Sequence, residues 1–167
     1  MQFSQALRRT VRRFTFSKVN DSGKESYADI EGLEDEKFTN VMRIQQHGFT
    51  SHPPSGSHAI GISLNGQSDQ LVILGGELGA KRPTDVGEGD SMVYNANGAS
   101  VHLKGNTLYA EAPSSIELKV GGCTLTISGS GFKFSGGTIT HDGVSIDKTH
   151  VHQSVTQGPD LSGAPNS

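Results

Sequence analysis

The stretch SIELKVGGCTLTISGSGFKFSGGTITHDGVSI, residues 115–146, repeats a glycine and a short alternating segment every seven residues. The repeating glycines are Gly122, Gly129, Gly136 and Gly143. One apolar position recurs in this frame at Leu118, Leu125, Phe132, Ile139 and Ile146, and a second follows two residues later at Val120, Ile127 and Phe134. A fixed internal period of this kind indicates a repetitive architecture.

The spacing within each unit indicates β-strands and not a coiled coil. A coiled coil needs apolar residues three and four apart, so that one helical face stays on the seam, whereas here the spacings are two and five. A glycine in every unit would also cost a helix about 1 kcal/mol each, and the Thr, Ile and Val content favours strands. Each unit is therefore a glycine corner followed by a short strand, as in 122–128.

Short strands of this type need partners, because an isolated two-stranded ribbon is only marginally stable in water. Three identical chains wound about one axis would close each other's edges and share one core. We predict an intertwined triple-stranded β-helix over residues 113–149. Its trimer core is predicted to comprise Ile116, Leu118, Val120, Leu125, Ile127, Phe132, Phe134, Ile139, Val144 and Ile146. Periodicity does not count chains, so a monomeric β-solenoid or the edge of a sandwich remains an alternative.

The chain before the repeat has the pattern of a small β-domain. Segments 14–19 and 59–64 alternate apolar and polar residues, and 71–74 is continuously apolar. Turn sequences such as Asn20–Gly23 and Pro53–Gly56 separate these segments. We predict a small Greek-key barrel or sandwich over residues 14–112, with an OB-like barrel as the preferred form.

Residues 1–13 predict a short amphipathic N-terminal helix. Phe3, Leu7 and Val11 recur at helical spacing, and arginines lie between them. A docking helix with a solvated basic face is favoured over a helix that lies on a membrane. No apolar run has the length of a signal peptide or a membrane span, so we expect synthesis in the cytoplasm.

The composition favours an oligomer and gives no general reason to expect a nucleic-acid partner. Only 32% of the 167 residues are hydrophobic and 22 are glycine, so one chain has little material for a large core. The formal net charge is -3, whereas phosphate contacts need concentrated Lys and Arg. The single cysteine, Cys123, excludes an intrachain disulfide, and its alternating apolar neighbours predict a small buried hydrophobe.

His150 and His152 follow the last repeat and are the candidate metal ligands within an apex and tail over 150–167. Residues two apart on a strand share a face, so three chains would present six imidazoles on a threefold axis. Six nitrogens suit neither tetrahedral zinc nor tetragonal copper(II). We expect one iron(II) per trimer, with nickel, cobalt or manganese as alternatives, whereas a polar tail end is the competing interpretation. Surface or turn roles are predicted for the other histidines, His47, His52, His58, His102 and His141.

The chain lacks the sequence motifs of the common enzyme classes. It has no G-x-S-x-G, H-E-x-x-H or phosphate-binding glycine loop. A cupin-like metal enzyme also uses His-x-His but adds a glutamate ligand shortly afterwards, and the last glutamate here is Glu117. A carbohydrate-binding module needs exposed aromatic platforms, and the aromatics beyond residue 110, Phe132 and Phe134, occupy inward repeat positions. We predict a non-enzymatic protein, with those two classes as alternatives.

The segment VMRIQQHGFTSHPPSGSHAI, residues 41–60, resembles the N-terminal domain of the Mu-like phage baseplate assembly protein V family. The resemblance covers residues 8–100 by motif, and Thr149–His152 resembles the family's Thr-His-x-His apex. It implies an OB-fold bound to the baseplate hub or tail tube, a triple-stranded β-helix, and an iron-binding apex in the virion. Sheath contraction would drive that apex through the host outer membrane. The chain departs from the family where residues 153–157 separate the histidines from Gly158.

Overall fold

The chain consists of two compact units, one ending at Tyr109 and the other beginning at Ala110. A computed structural model describes residues 10–147, His150, Ser154 and Gly158. The described residues contain thirteen strands and three single-turn 3-10 helices, which confirms the predicted all-β class. The predicted functional division at residues 112 and 149 stays a prediction.

Five strands of the first unit form a closed barrel in the order β1-β2-β3-β5-β4. They are β1 Val11–Asn20, β2 Ser26–Glu31, β3 Lys37–Arg43, β4 His58–Ser63 and β5 Leu71–Glu77. Neighbouring strands run antiparallel, except β3 and β5, which are parallel. The 3-10 turns span Leu64–Gly66, Ser68–Gln70 and Gly79–Lys81. A closed five-stranded barrel agrees with the predicted OB-like form, and all three predicted strands lie in it.

The barrel core follows from the alternation in its strands. Phe14 and Phe16, two residues apart on β1, are buried together with Ile30 of β2 and Ile73 of β5. Phe14 packs edge-to-face on Phe38 with the ring centroids 5.7 Å apart. Full burial of a side chain of this size contributes about 1.5 to 3 kcal/mol, so these residues supply much of the barrel's stability.

Strand β1 includes Val11, Arg12 and Arg13, which the helical spacing had assigned to an N-terminal helix. The helix prediction is wrong for these residues. Val11 to Thr15 pair in register with β4, from Val11 opposite Ile62 to Thr15 opposite His58. Strand pairing in the closed barrel therefore determines the structure of these residues. The helical periodicity rested on few positions and did not predict it. Residues 1–9, which carry the rest of the predicted helix, lie outside the described residues.

A second sheet follows the barrel in the sequence, in the order β6-β7-β8. Its strands are β6 Ser91–Tyr94, β7 Ser100–Lys104 and β8 Thr107–Glu111. His102 of β7 is only 5% exposed, so its predicted surface or turn role is wrong. Its Nε2 lies 3.9 Å from an Asp90 carboxylate oxygen, and Met92 is its cross-strand neighbour.

The repeat forms an antiparallel meander in the second unit, in the order β9-β10-β11. The strands are β9 Ser115–Val120, β10 Cys123–Ser128 and β11 Gly131–Ser135, followed by the hairpin of β12 Thr140–His141 and β13 Val144–Ser145. Consecutive units pair antiparallel within one chain. This pairing does not count chains, so the triple-stranded β-helix stays a prediction. Of the predicted corner glycines, Gly136 and Gly143 adopt positive φ, whereas Gly121 and Gly131 do so at the earlier corners.

We expect Gly61→Ala to destabilise the barrel by about 1 to 3 kcal/mol, because a Cβ there would overlap the Phe14 ring and overpack the core. Thermal unfolding of the full chain, followed by circular dichroism, measures the change. Gly79→Ala is the matched control, since the space around its Cβ is open. Equal melting of the two variants would contradict the close packing of β4 on Phe14.

Candidate functional site

One face of the β9–β11 sheet is built from apolar side chains and one cysteine. Leu125 lies opposite Leu118 on one side and Phe134 on the other, and Ile127 likewise lies between Ile116 and Phe132. Alternate residues of a strand share a face, so the pairs extend into one surface. The apolar face comprises Ile116, Leu118, Val120, Cys123, Leu125, Ile127, Phe132 and Phe134. The opposite face carries Glu117, Lys119, Thr124, Thr126 and Lys133.

Much of this apolar face is open to solvent in the single chain. Val120 is 81% exposed and Phe132 is 73% exposed, and Leu118 and Phe134 are also more than half exposed. A contiguous apolar surface that is exposed on a single chain indicates an interaction site. Cys123 is exposed on the same face, so the prediction of a buried cysteine is wrong for the single chain.

The remaining predicted core residues follow the meander. Ile139 is half-buried and lines an apolar cavity of about 190 Å³ together with Leu118, Leu125 and Phe134. The Ile146 backbone N–H donates to the Ile139 carbonyl at 2.9 Å. Val144 and Ile146 are both more than half exposed. The structure therefore brings Ile139 to the apolar face, and the assignment of all ten residues to a trimer core stays a prediction.

His150 forms hydrogen bonds to the end of the repeat. Its backbone N–H donates to the Asp147 carbonyl at 2.9 Å, and its Nδ1 lies 2.6 Å from the Ser145 carbonyl oxygen. A carbonyl only accepts, so Nδ1 carries the proton and the lone pair of the neutral ring is on Nε2. Metal-bound histidines commonly donate their second ring N–H to a carbonyl in this way. The His150 ring therefore fits a metal ligand that binds through Nε2.

The second predicted ligand, His152, lies outside the described residues. Among the residues that the structure describes, no group of three His, Cys, Asp or Glu side chains could hold a metal ion. The predicted six-nitrogen centre needs two ligands from each of three chains, and a single chain cannot show it complete. The metal site therefore stays a prediction.

In the first unit, Arg43 fixes the loop over residues 44–57 that joins β3 to β4. Its Nη1 donates to the Ser51 carbonyl at 2.8 Å, and its Nη2 donates to the Ser51 hydroxyl at 2.9 Å. The Ser51 N–H donates to the side-chain oxygen of Gln45 at 2.9 Å. Arg43 is 5% exposed, and this burial lowers the pKa of its guanidinium, an effect that the Asp21 carboxylate partly opposes.

Asp21 ties the same loop to the β1–β2 turn. One carboxylate oxygen lies 2.8 Å from Nδ1 of His52, and the other accepts the Ser26 hydroxyl. His52 is exposed and lies in a loop, as predicted, but its pairing with Asp21 was missed. The burial of Arg43 could have been predicted from the sequence. Period-two alternation places Arg43 on the same face of β3 as buried Val41.

The barrel is similar in sequence to known proteins. Residues 13–79 match the family model described as Bacteriophage Mu Gp45, N-terminal. The predicted resemblance to a Mu-like baseplate spike family is confirmed. The chain is 29% identical to the "Baseplate puncturing device gp45" of Escherichia phage Mu over 97 residues. This aligned region covers 58% of this chain and 49% of that protein.

A second relative of the Mu Gp45 type is the "Mu-like prophage FluMu protein gp45" of Haemophilus influenzae. It is 29% identical over 102 residues, which is 61% of this chain and 56% of that protein. The chain thus spans about half the length of these curated relatives. The Mu Gp45 match includes the loop held by Arg43 and ends before β6. None of the helices among the described residues is long and apolar enough to cross a membrane.

We expect Arg43→Lys to loosen the 44–57 loop, because a lysine ammonium cannot reproduce the two-pronged contact with Ser51. Hydrogen bonds from a charged donor are worth about 1.5 to 3 kcal/mol, so amide exchange in this loop should accelerate roughly tenfold or more. Hydrogen–deuterium exchange mass spectrometry measures the rate. Arg13→Lys, at an exposed position of β1, is the control and should leave it unchanged. Unaltered exchange in Arg43→Lys would contradict the anchoring role.

Proposed function

We propose that this chain is one subunit of a trimeric, non-enzymatic spike at the tip of a contractile phage tail, and thus a component of the virion. The exposed apolar face of β9–β11 carries the proposal, because a lone chain leaves it in water. The barrel's match to the Mu Gp45 family supports a place in the baseplate. The relative from Escherichia phage Mu is named for puncturing and not for a reaction.

Three chains meeting about one axis would enclose their apolar faces in a common core. Each chain contributes the eight residues of the apolar face, and burial of a Leu, Ile, Val or Phe yields about 1.5 to 3 kcal/mol. The gross gain across a trimer is on the order of tens of kcal/mol, most of which ordering entropy offsets. The opposite face carries charges of both signs and would form the soluble exterior.

A metal ion would cross-link the three chains at the apex. His150 and His152 of each chain would supply six imidazoles to one iron(II), and the Ser145 carbonyl already orients the His150 ring. The bound ion would hold the chains together at the tip. Six protein ligands leave no open position for a substrate, which accords with a mechanical role.

The two units would divide attachment from penetration. The barrel would bind the baseplate hub or tail-tube proteins, and the β-repeat would carry the apex through the host outer membrane when the sheath contracts. A tip under load must resist unfolding during penetration, so its unfolding rate matters more than its equilibrium stability. Intertwined chains and a shared ion both slow unfolding.

A host-surface carbohydrate module is the second candidate, and the exposure of Phe132 in the single chain favours it. Sugar recognition needs polar groups placed beside an aromatic ring. The cross-strand neighbour of Phe132 is Ile127, and the other side chains of that face are apolar or the Cys123 thiol. The surface therefore suits a protein partner better than a sugar.

We expect Phe132→Asp to abolish the trimer, because three carboxylates would enter a dry core at this level. Native mass spectrometry reads the number of chains directly. Lys133→Asp introduces the same charge on the opposite face of the same strand and should leave the trimer intact. A trimer that survives Phe132→Asp would contradict burial of this face.

We expect native mass spectrometry with elemental analysis to find three chains and one iron in the unsubstituted protein.

His150→Ala combined with His152→Ala should remove the metal and leave the trimer formed, because burial of the apolar face is sufficient to hold the chains together below the tip. His141→Ala, an exposed histidine of β12, is the control and should retain the metal. A single chain carrying one zinc would overturn the proposed function.

A further inference from the structure

The first unit contains a cavity of about 370 Å³ beside strand β6. The 44–57 loop forms one wall through Phe49, Pro53 and Pro54, and Leu78 lies at the end of β5. Neither the barrel core nor the apolar face of β9–β11 includes this cavity. Its lining is largely apolar, as in sites that accept a partner's side chain.

The cavity runs along the free edge of β6. Met92, Val93 and Tyr94 line it one after another. Successive side chains of a strand point to opposite faces, so lining by three consecutive residues indicates a cavity along the edge of the strand. β6 stands at the end of the β6-β7-β8 order and, within the described residues, pairs with β7 alone. Its outer backbone groups are thus positioned to pair with an added strand.

The walls of this cavity are already held in place. Arg43 anchors the 44–57 loop at Ser51, and Asp21 anchors it at His52. Phe49 of the same loop, 56% exposed, lines the cavity. The Tyr94 hydroxyl donates to Glu77 at 2.7 Å, and this hydrogen bond raises the pKa of Tyr94. A preformed site loses little conformational entropy on binding, which favours affinity.

The charge of the lining indicates an acidic occupant. Lys81 and His52 line the cavity, and among the described residues that line it there is no carboxylate. The Glu77 carboxylate nearby accepts the Tyr94 hydroxyl. The His52 ring is already paired with the Asp21 carboxylate, so Lys81 supplies the positive charge that a negative side chain of a partner would meet next to the apolar walls.

We propose that this cavity binds an extended segment of a baseplate protein, in which apolar and acidic residues alternate, as an added strand on β6. The inference rests on the proposed attachment to the baseplate and identifies the surface that performs it. Apolar side chains of the segment would contact Phe49 and Leu78, and an acidic side chain would pair with Lys81. The backbone of the segment would hydrogen-bond to the edge of β6.

The test uses tails assembled without this chain, to which the purified full-length protein is added. We expect Phe49→Ala and Lys81→Glu each to lower incorporation into tails at least tenfold, a loss typical of a central contact residue. Lys104→Glu, at the exposed end of β7, carries the same charge change away from the cavity and should incorporate normally. Native mass spectrometry should find all three variants trimeric. Normal incorporation of both cavity variants would overturn the inference.

A photo-cross-linker identifies the occupant. The substitution Val93→p-benzoylphenylalanine should form a cross-link to an acidic segment of a baseplate protein in incorporated tails, identified by mass spectrometry of the linked peptides. A cross-link to another copy of this chain, or none in tails that contain the protein, would overturn the inference alone. If the unsubstituted protein fails to join tails, the proposed attachment itself fails, so the two failures are distinguishable.

Discussion

The second unit depends on one constraint, which is that its sheet has an apolar face that the described part of its own chain leaves largely exposed. The meander β9–β11 satisfies its inner backbone hydrogen bonds by pairing consecutive strands. Its apolar side chains, by contrast, remain open to water, with Val120 and Phe132 the most exposed. Backbone pairing is local and needs one chain, whereas burial of the face needs a second surface of matching chemistry. The proposed trimer supplies that surface from copies of the same face.

The barrel is constructed on the opposite principle. Its five strands close on themselves, so no barrel edge is left unpaired, and its core residues Phe14, Phe16, Ile30 and Ile73 are buried within one chain. A closed barrel is a rigid base on which loops can be positioned. The 44–57 loop uses this base, because Arg43 reaches it from the end of β3. The free edge of β6 lies beside that loop, where a partner strand could add.

At the end of the repeat, the backbone of the last strand orients a candidate metal ligand. The His150 ring is oriented by the Ser145 carbonyl, which lies at the end of the last short strand, β13. A backbone carbonyl thus sets the tautomer of this ring. In the proposed spike, this orientation would direct Nε2 of His150 toward the metal ion.

Alternation and turn chemistry determined most of what the sequence alone could predict. They indicated the all-β class, the three barrel strands, the glycine corners and the one-sided apolar pattern of residues 116–134, because strand periodicity is a local property. The helical spacing of Phe3, Leu7 and Val11 gave a wrong prediction for Val11, because pairing with β4 is not visible locally. Likewise, only the tertiary structure decided that His102 is buried, that the repeats pair as an antiparallel meander, and that Arg43, Asp21 and β6 shape one cavity. These features join residues far apart in the chain, and their energies depend on distances that no spacing rule contains.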